Sequence, residues 1–326
     1  MKKGKNMRNN IVDDWIDYLE SIKENSSNTI KSYESDVINF LQFVKHRYEL
    51  TNCSLEEISE LDIGNLDESI IKKIGIRDLI AYISYTDKHL NNSSSTRSRK
   101  LSSLRSFFNY LYKIINLLDN NPMSLLDGPK IPKRMPHYLE LEEVQRLLNA
   151  ILENDDEFYK LRDYSIIMLF LNTGLRLSEL VNIHISHLNK DKSIRIIGKG
   201  NKERLIYLNN SVIESINDYM EVRPDSDIDN IFINKAGDQF LGPRGIQYMV
   251  NKYLKKCGLG GKYSPHSLRH TAATLLYQYG NVDIRTLQII LGHESVSTTQ
   301  IYTHVNSTQI REAIDLNPIK DLNLKK

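Results

Sequence analysis

Four short stretches in a chain of 326 residues gather guanidinium, imidazole and ammonium groups in settings that neither a plain core nor a plain surface requires. The first is Thr173-Gly174-Leu175-Arg176-Leu177-Ser178-Glu179-Leu180. Its glycine allows a close backbone approach, and Arg176 follows at the expected start of a helix, where a planar donor array suits a phosphate. Taken alone, this stretch reads better as a surface arginine paired with Glu179 at i+3. The second is Gly198-Lys199-Gly200-Asn201-Lys202, the expected tip of a hairpin, from which Lys199 would project into a groove or a site. Most hairpin lysines only solubilise, so this one is also weak by itself. The third, Ser264-Pro265-His266-Ser267-Leu268-Arg269-His270, sets His266 and Arg269 on one face of a first helical turn, where the helix N-terminus adds its own attraction for an anion. A capping or core histidine is the competing reading of His266, and His270 reads as structural. The fourth, Leu291-Gly292-His293-Glu294-Ser295, ends a helix at a glycine, with Tyr302 further along. Position alone does not single out Tyr302 among 18 tyrosines.

The elements that must carry these groups are mostly helical. In residues 29–48 the apolar positions Ile30, Tyr33, Val37, Phe40, Leu41 and Val44 recur every three or four residues, a single buried stripe; Asn28 is a candidate cap. A second helix through residues 96–115 has Leu101, Leu104, Phe108 and Leu111 as its stripe, with Ser93-Ser94-Ser95 leading in. Four of the chain's 8 prolines, Pro122, Pro129, Pro132 and Pro136, follow in a stretch that reads as an extended linker. The segment KSIRIIGKGNKERLIYL predicts two strands about the Lys199 turn. Ser264-Pro265 and Gly280 bracket a helix, and Asp283 and Gly292 bracket the next. The fold class expected is therefore mainly α: a helical N-terminal domain over residues 1–117, a linker over 118–137, and a mostly helical second domain over 138–326 with a small β-sheet insert.

Composition narrows the classes further. The chain is 40% hydrophobic and 26% charged, as a globular protein is. Its longest apolar run, Ile166 to Leu171, is far short of the roughly 20 residues of a membrane span. The basic N-terminus has no apolar stretch behind it, which predicts no signal peptide. With only Cys53 and Cys257, a disulfide scaffold and a thiolate zinc site are excluded, and a reducing cytoplasm is the expected home. Net charge is only +2, yet residues 88–118 and 239–282 each carry six Lys or Arg and no acid, a weak pointer to a polyanion.

Together and in this order, TGLRLSEL, IIGKGNKERLIYL, SPHSLRHTAATLL and LGHESVSTTQIYTHV resemble the tyrosine recombinase (phage integrase) family, specifically its Xer-type members. The likeness is strong over residues 138–305 and weaker over 11–115, which resemble that family's helical core-binding domain. It implies that Arg176, Lys199, His266, Arg269, His293 and Tyr302 form one catalytic set, with Tyr302 the nucleophile that becomes joined to a DNA 3′-phosphate. Arg176 and Arg269 would neutralise the phosphate, His293 would donate to it, His266 would act as base and Lys199 as acid. The expected DNA contacts are Arg97, Arg99, Lys100, Arg105, Lys202 and Arg244.

The covalent bond would conserve the phosphodiester's energy, so no nucleotide cofactor is expected. No Walker loop or two-metal carboxylate cluster is present either, and no metal is expected. The resemblance further implies double-stranded DNA as partner and a homo- or hetero-tetramer on it, with or without a second recombinase. Tail residues Ile310, Ile314 and Leu316 would dock on a neighbour or on their own subunit. Because the chain starts close to the core-binding region, resolution of chromosome dimers is expected over a mobile-element integrase. A type IB topoisomerase-like enzyme and a DNA-binding protein without activity are the other readings.

Overall fold

Period-three-and-four apolar stripes become packed helices here, and those helices form two units, Met1–Lys133 and Arg134–Lys326. The computed structural model describes residues 9–51, 53–129, 137–198, 203–280, 282–293 and 295–299. The first unit contains α1 (Asn10–Ser21), α2 (Ser27–Arg47), α3 (Glu68–Lys73), α4 (Ile76–Lys88) and α5 (Ser94–Lys113). Ile30, Val37, Phe40, Leu41 and Val44 of α2 meet Leu101, Leu104, Phe108 and Leu111 of α5 in one buried cluster. Trp15, the chain's only tryptophan, lies fully buried there with the ring of Phe107 edge-on at 5.2 Å. The α2 cap is Ser26, whose side chain accepts the Thr29 N–H. Asn28 therefore falls inside the helix, because the hydroxyl two residues earlier already reaches the N-terminal donors.

The linker begins later than its prolines suggest. Leu118 and Met123 are buried in the first unit's core, Asn121 bonds Asn109, and Arg105 Nη2 donates to Leu126 O at 3.0 Å. Two apolar side chains and a guanidinium thus tie residues 118–126 to α5, where proline content alone signals a free tether.

The basic face of α5 is also less open than its acid-free sequence implies. Asp36 of α2, 2% exposed, receives Arg99, Lys100 and the Ser103 hydroxyl, and Lys100 is itself buried and 3.4 Å from the Tyr82 hydroxyl. Arg97 pairs with Asp87 of α4. Lys100, expected as a DNA contact, is a core lysine here, its charge set against a buried carboxylate. Removing a buried partner leaves an uncompensated charge, at a cost of about 3 kcal/mol or more. Asp36→Ala should accordingly lower the urea midpoint reported by Trp15 fluorescence, and an unchanged midpoint would show the cluster to be dispensable.

The second unit contains α6 (Leu141–Leu152), α7 (Glu157–Thr173), α8 (Leu177–Val181), the strands β1 (Ser193–Ile197) and β2 (Glu203–Tyr207), then α9 (Asn210–Val222), α10 (Pro243–Lys256), α11 (Pro265–Tyr279), α12 (Ile284–Leu291) and α13 (Val296–Thr299). The strands pair antiparallel, Ser193 opposite Tyr207 and Ile197 opposite Glu203. Ile194, Ile196 and Ile206 turn inward to a core built mainly on α7, with α6, α9, α10 and α11 around it. The mainly helical architecture with a small two-stranded sheet is the one expected from sequence. Among the described residues no helix is long and apolar enough to cross a membrane.

Candidate active site

The turn after α7 and the turn after α12 meet because both are made with glycine. Gly174 has φ +60°, and a Cβ on it would lie 2.7 Å from Leu291 Cδ2. Gly292 has φ +62°, and a Cβ there would lie 2.7 Å from the Arg204 guanidinium carbon. Left-handed backbone without a side chain lets both loops close on each other.

Two arginines then brace the loops crosswise. Arg176, at the start of α8, sends Nη2 to Gly292 O at 2.8 Å. Arg269, one turn into α11 and 4% exposed, donates to Gly174 O and, through Nη2, to Leu291 O at 2.7 Å. Guanidiniums 93 positions apart in sequence (269 − 176) thus end on adjacent peptide carbonyls. The Arg176 side chain keeps 38% of its surface open to solvent.

Histidines complete the cluster. His293 follows Gly292 directly, its Nδ1 lies 2.9 Å from the Thr299 hydroxyl, and its carbonyl accepts from Gln288 Nε2 at 3.0 Å. Burial, then the charges of Arg269 and Arg176, push its pKa down to about 4, so the ring is neutral at pH 7. His266, in the first turn of α11, is likewise lowered by burial and by Arg269. Its ring meets His270 edge-on at 4.5 Å, and His270 is pushed to about 4 by burial and by its two neighbours His266 and Arg269.

Four of the six expected catalytic side chains, Arg176, His266, Arg269 and His293, are gathered in this one place. Lys199 and Tyr302 lie outside the described residues, as does Lys202 among the expected DNA contacts. Arg244 stands exposed in the first turn of α10, on the same helix face as exposed Tyr248.

Sequence reasoning read one member as a surface residue and missed another. Glu179 pairs with Arg176 as spacing allows, but it is buried and also holds Arg204 of β2, through bonds of 2.9 and 3.0 Å. Glu143 of α6 is the other. It accepts the Tyr263 hydroxyl at 2.7 Å and Lys262 Nζ at 2.8 Å, fixing the loop that leads into His266. Burial alone would raise its carboxyl; those two hydrogen bonds and the Glu140 N–H outweigh that and hold it at about 2. A carboxylate lowered from 4.5 to about 2 contributes stability that is complete above the ordinary value and lost as pH falls through the folded one. Glu143→Gln should therefore be less stable at neutral pH and lose less on acidification, as read by urea melts followed by circular dichroism. An acid limb as steep as wild type's would remove Glu143 from this role.

Likeness to known proteins shows the family of the chain that carries this cluster. The pattern of the phage integrase family matches residues 137–309, and that of the phage integrase N-terminal SAM-like domain matches residues 12–113. The chain belongs to the phage integrase family. This phage integrase family chain is 47% identical to a tyrosine recombinase XerC of Caldanaerobacter subterraneus subsp. tengcongensis, over 95% of its own length and 87% of the relative's. It is 36% identical to a tyrosine recombinase XerC of Leptospira interrogans, over 91% and 89% of the two chains. Among solved structures, a XerH site-specific recombinase bound to a palindromic difH substrate in a post-cleavage complex has the same fold, with TM-score 0.66 and 23% identity over 94% of this chain and 84% of that one. Within the phage integrase family the chain is a Xer-type tyrosine recombinase, a site-specific DNA-cleaving and rejoining enzyme.

Proposed function

We propose that the chain exchanges strands of double-stranded DNA through a 3′-phosphotyrosyl intermediate on Tyr302, and that its task is resolving chromosome dimers in the cytoplasm. The Tyr302 oxygen attacks the scissile phosphorus, the bond to the 5′-oxygen breaks, and that oxygen leaves as a hydroxyl. Attack by the 5′-hydroxyl of the partner strand reverses the step and releases the tyrosine. What supports this reading most is the convergence of Arg176, Arg269, His266 and His293 on the paired glycine turns.

Each group has a distinct task. Arg176 and Arg269 neutralise charge that grows on the non-bridging oxygens, the largest contribution such a site can make. His293, neutral, donates one further hydrogen bond. In the tautomer where Thr299 donates to Nδ1, the ring hydrogen sits on Nε2. His266, also held neutral, takes the phenol proton; a free tyrosine, with pKa about 10, needs that help. Lys199 protonates the departing 5′-oxygen. Arg97, Arg99, Arg105, Lys202 and Arg244 contact the DNA backbone, and four copies assemble on two sites, alone or with a second recombinase. The tail with Ile310, Ile314 and Leu316 joins neighbouring copies.

The test is to isolate the protein from cells under denaturing conditions together with any covalently held DNA. Sequencing that DNA gives the target site, and mass spectrometry of the protein gives the joined residue. DNA recovered on Tyr302 from one recurrent chromosomal sequence fits the proposal. Protein free of DNA, or joined through another residue, overturns it.

A further inference from the structure

Arg204 has no task in the scheme above, yet it touches both groups that fix the guanidinium of Arg176. It rises from β2 with only 17% of its side chain exposed. Its Nη1 donates to Glu179 Oε1 at 2.9 Å and its Nη2 to Oε2 at 3.0 Å. The same two oxygens accept Arg176 Nη1 and the Arg176 backbone N–H, both at 2.8 Å. On its other side Arg204 lies against Gly292, whose missing Cβ would fall 2.7 Å from its guanidinium carbon and 3.1 Å from its Nε. The Gly292 carbonyl is the acceptor of Arg176 Nη2.

Planar guanidinium and planar carboxylate prefer to meet edge to edge through two parallel bonds. Glu179 stands three residues from Arg176 and would take both ends of that fork if it were otherwise unoccupied. Arg204 fills the bidentate position instead. Arg176 is left giving the carboxylate a single Nη, while its second Nη reaches Gly292 and a share of its edge stays open to solvent.

We infer that Arg204 is a positioning residue, which by claiming Glu179 and backing Gly292 keeps Arg176 turned toward the scissile phosphate. This rests on the proposed phosphoryl transfer. It also accounts for glycine at position 292 independently of backbone conformation, since any side chain would displace Arg204.

The test compares two duplexes carrying the recovered target site, one with an ordinary scissile phosphodiester and one with an uncharged methylphosphonate there. Arg176 is needed to neutralise charge on the first and has little to neutralise on the second. Arg204→Ala should cleave the phosphodiester about 100-fold more slowly than wild type, the scale on which misplacement of a catalytic group acts. Its DNA affinity should be unchanged, and its deficit on the methylphosphonate should shrink to less than about tenfold. Activity of the same preparation on the second duplex shows that the variant is folded. Arg204→Lys should not restore the rate, because an ammonium cannot fill a bidentate position. A 5′-phosphorothiolate, whose sulfur leaves without protonation, should rescue Lys199→Ala but not Arg204→Ala. A wild-type rate for Arg204→Ala, or an equal loss on both duplexes, overturns the inference. Wild-type protein that leaves both duplexes intact overturns the underlying reading, and this inference with it.

Discussion

Tyr302→Phe protein should bind its DNA site and never become joined to it. The substitution deletes one oxygen and keeps the ring, so the apolar volume is conserved and only the proposed attacking atom is lost. Affinity for duplex DNA comes chiefly from contacts between cationic side chains and backbone phosphates, with a steep dependence on salt. None of those contacts involves a phenol oxygen. Gel shifts of variant and wild type should therefore coincide across a salt series. A duplex nicked beside the cleavage site, whose short cut end diffuses away, should trap wild type as a denaturant-resistant adduct and leave the variant free. An adduct that persisted in Tyr302→Phe would assign the nucleophile elsewhere. Equal loss of binding and cleavage would mean that Tyr302 builds the DNA surface instead of reacting with it.

Arg269→Ala should fail twice, in rate and in stability, where Arg176→Ala fails once. Loss of a single donor to a developing oxyanion costs about 100- to 1,000-fold in rate, and both variants should show that. Their surroundings differ. Arg269 is 4% exposed and satisfies the carbonyls of Gly174 and Leu291. Its removal strands those buried acceptors and leaves a void between α11 and the two glycine turns. Each orphaned buried acceptor costs about 1–3 kcal/mol, so a loss of several kcal/mol is expected in urea melts followed by circular dichroism. The Arg176 side chain is 38% exposed, and water can replace what it gave to Gly292. Its variant should melt within about 1 kcal/mol of wild type. Arg269→Ala with wild-type stability would show the brace to be redundant, and wild-type cleavage by either variant would remove that arginine from the site.

Local rules carried much of the fold. Ile30, Val37, Phe40, Leu41 and Val44 are buried as their spacing requires, and the caps at Ser264 and Asp283 lie where hydroxyl and carboxylate precede apolar stripes. The hairpin follows from its alternating isoleucines. What local rules could not reach are pairings across long stretches of chain. Arg99 and Lys100 look available because no acid stands near them in sequence, yet Asp36 on a different helix receives both. Glu179 looks like an exposed partner of Arg176 because its burial depends on Arg204 from the hairpin. Residues 118–126 look like a tether because proline density says nothing of where Leu118 and Met123 come to rest. In the candidate site, residue types arranged in order pointed to Arg176, His266, Arg269 and His293, which do lie together, while the crosswise bracing of two glycine turns emerged only in three dimensions.

The helix ahead of His293 ends with its carbonyls toward those turns, and a helix terminus of that kind carries about half an elementary negative charge. Left bare, it would push an incoming phosphodiester away. Arg269 caps the Leu291 oxygen and Arg176 the Gly292 oxygen, so the local field is inverted before any substrate arrives. Neither cation is then a spare for the other: each cancels its own repulsive dipole, and taking one away restores a patch of anion exclusion beside whatever attraction survives.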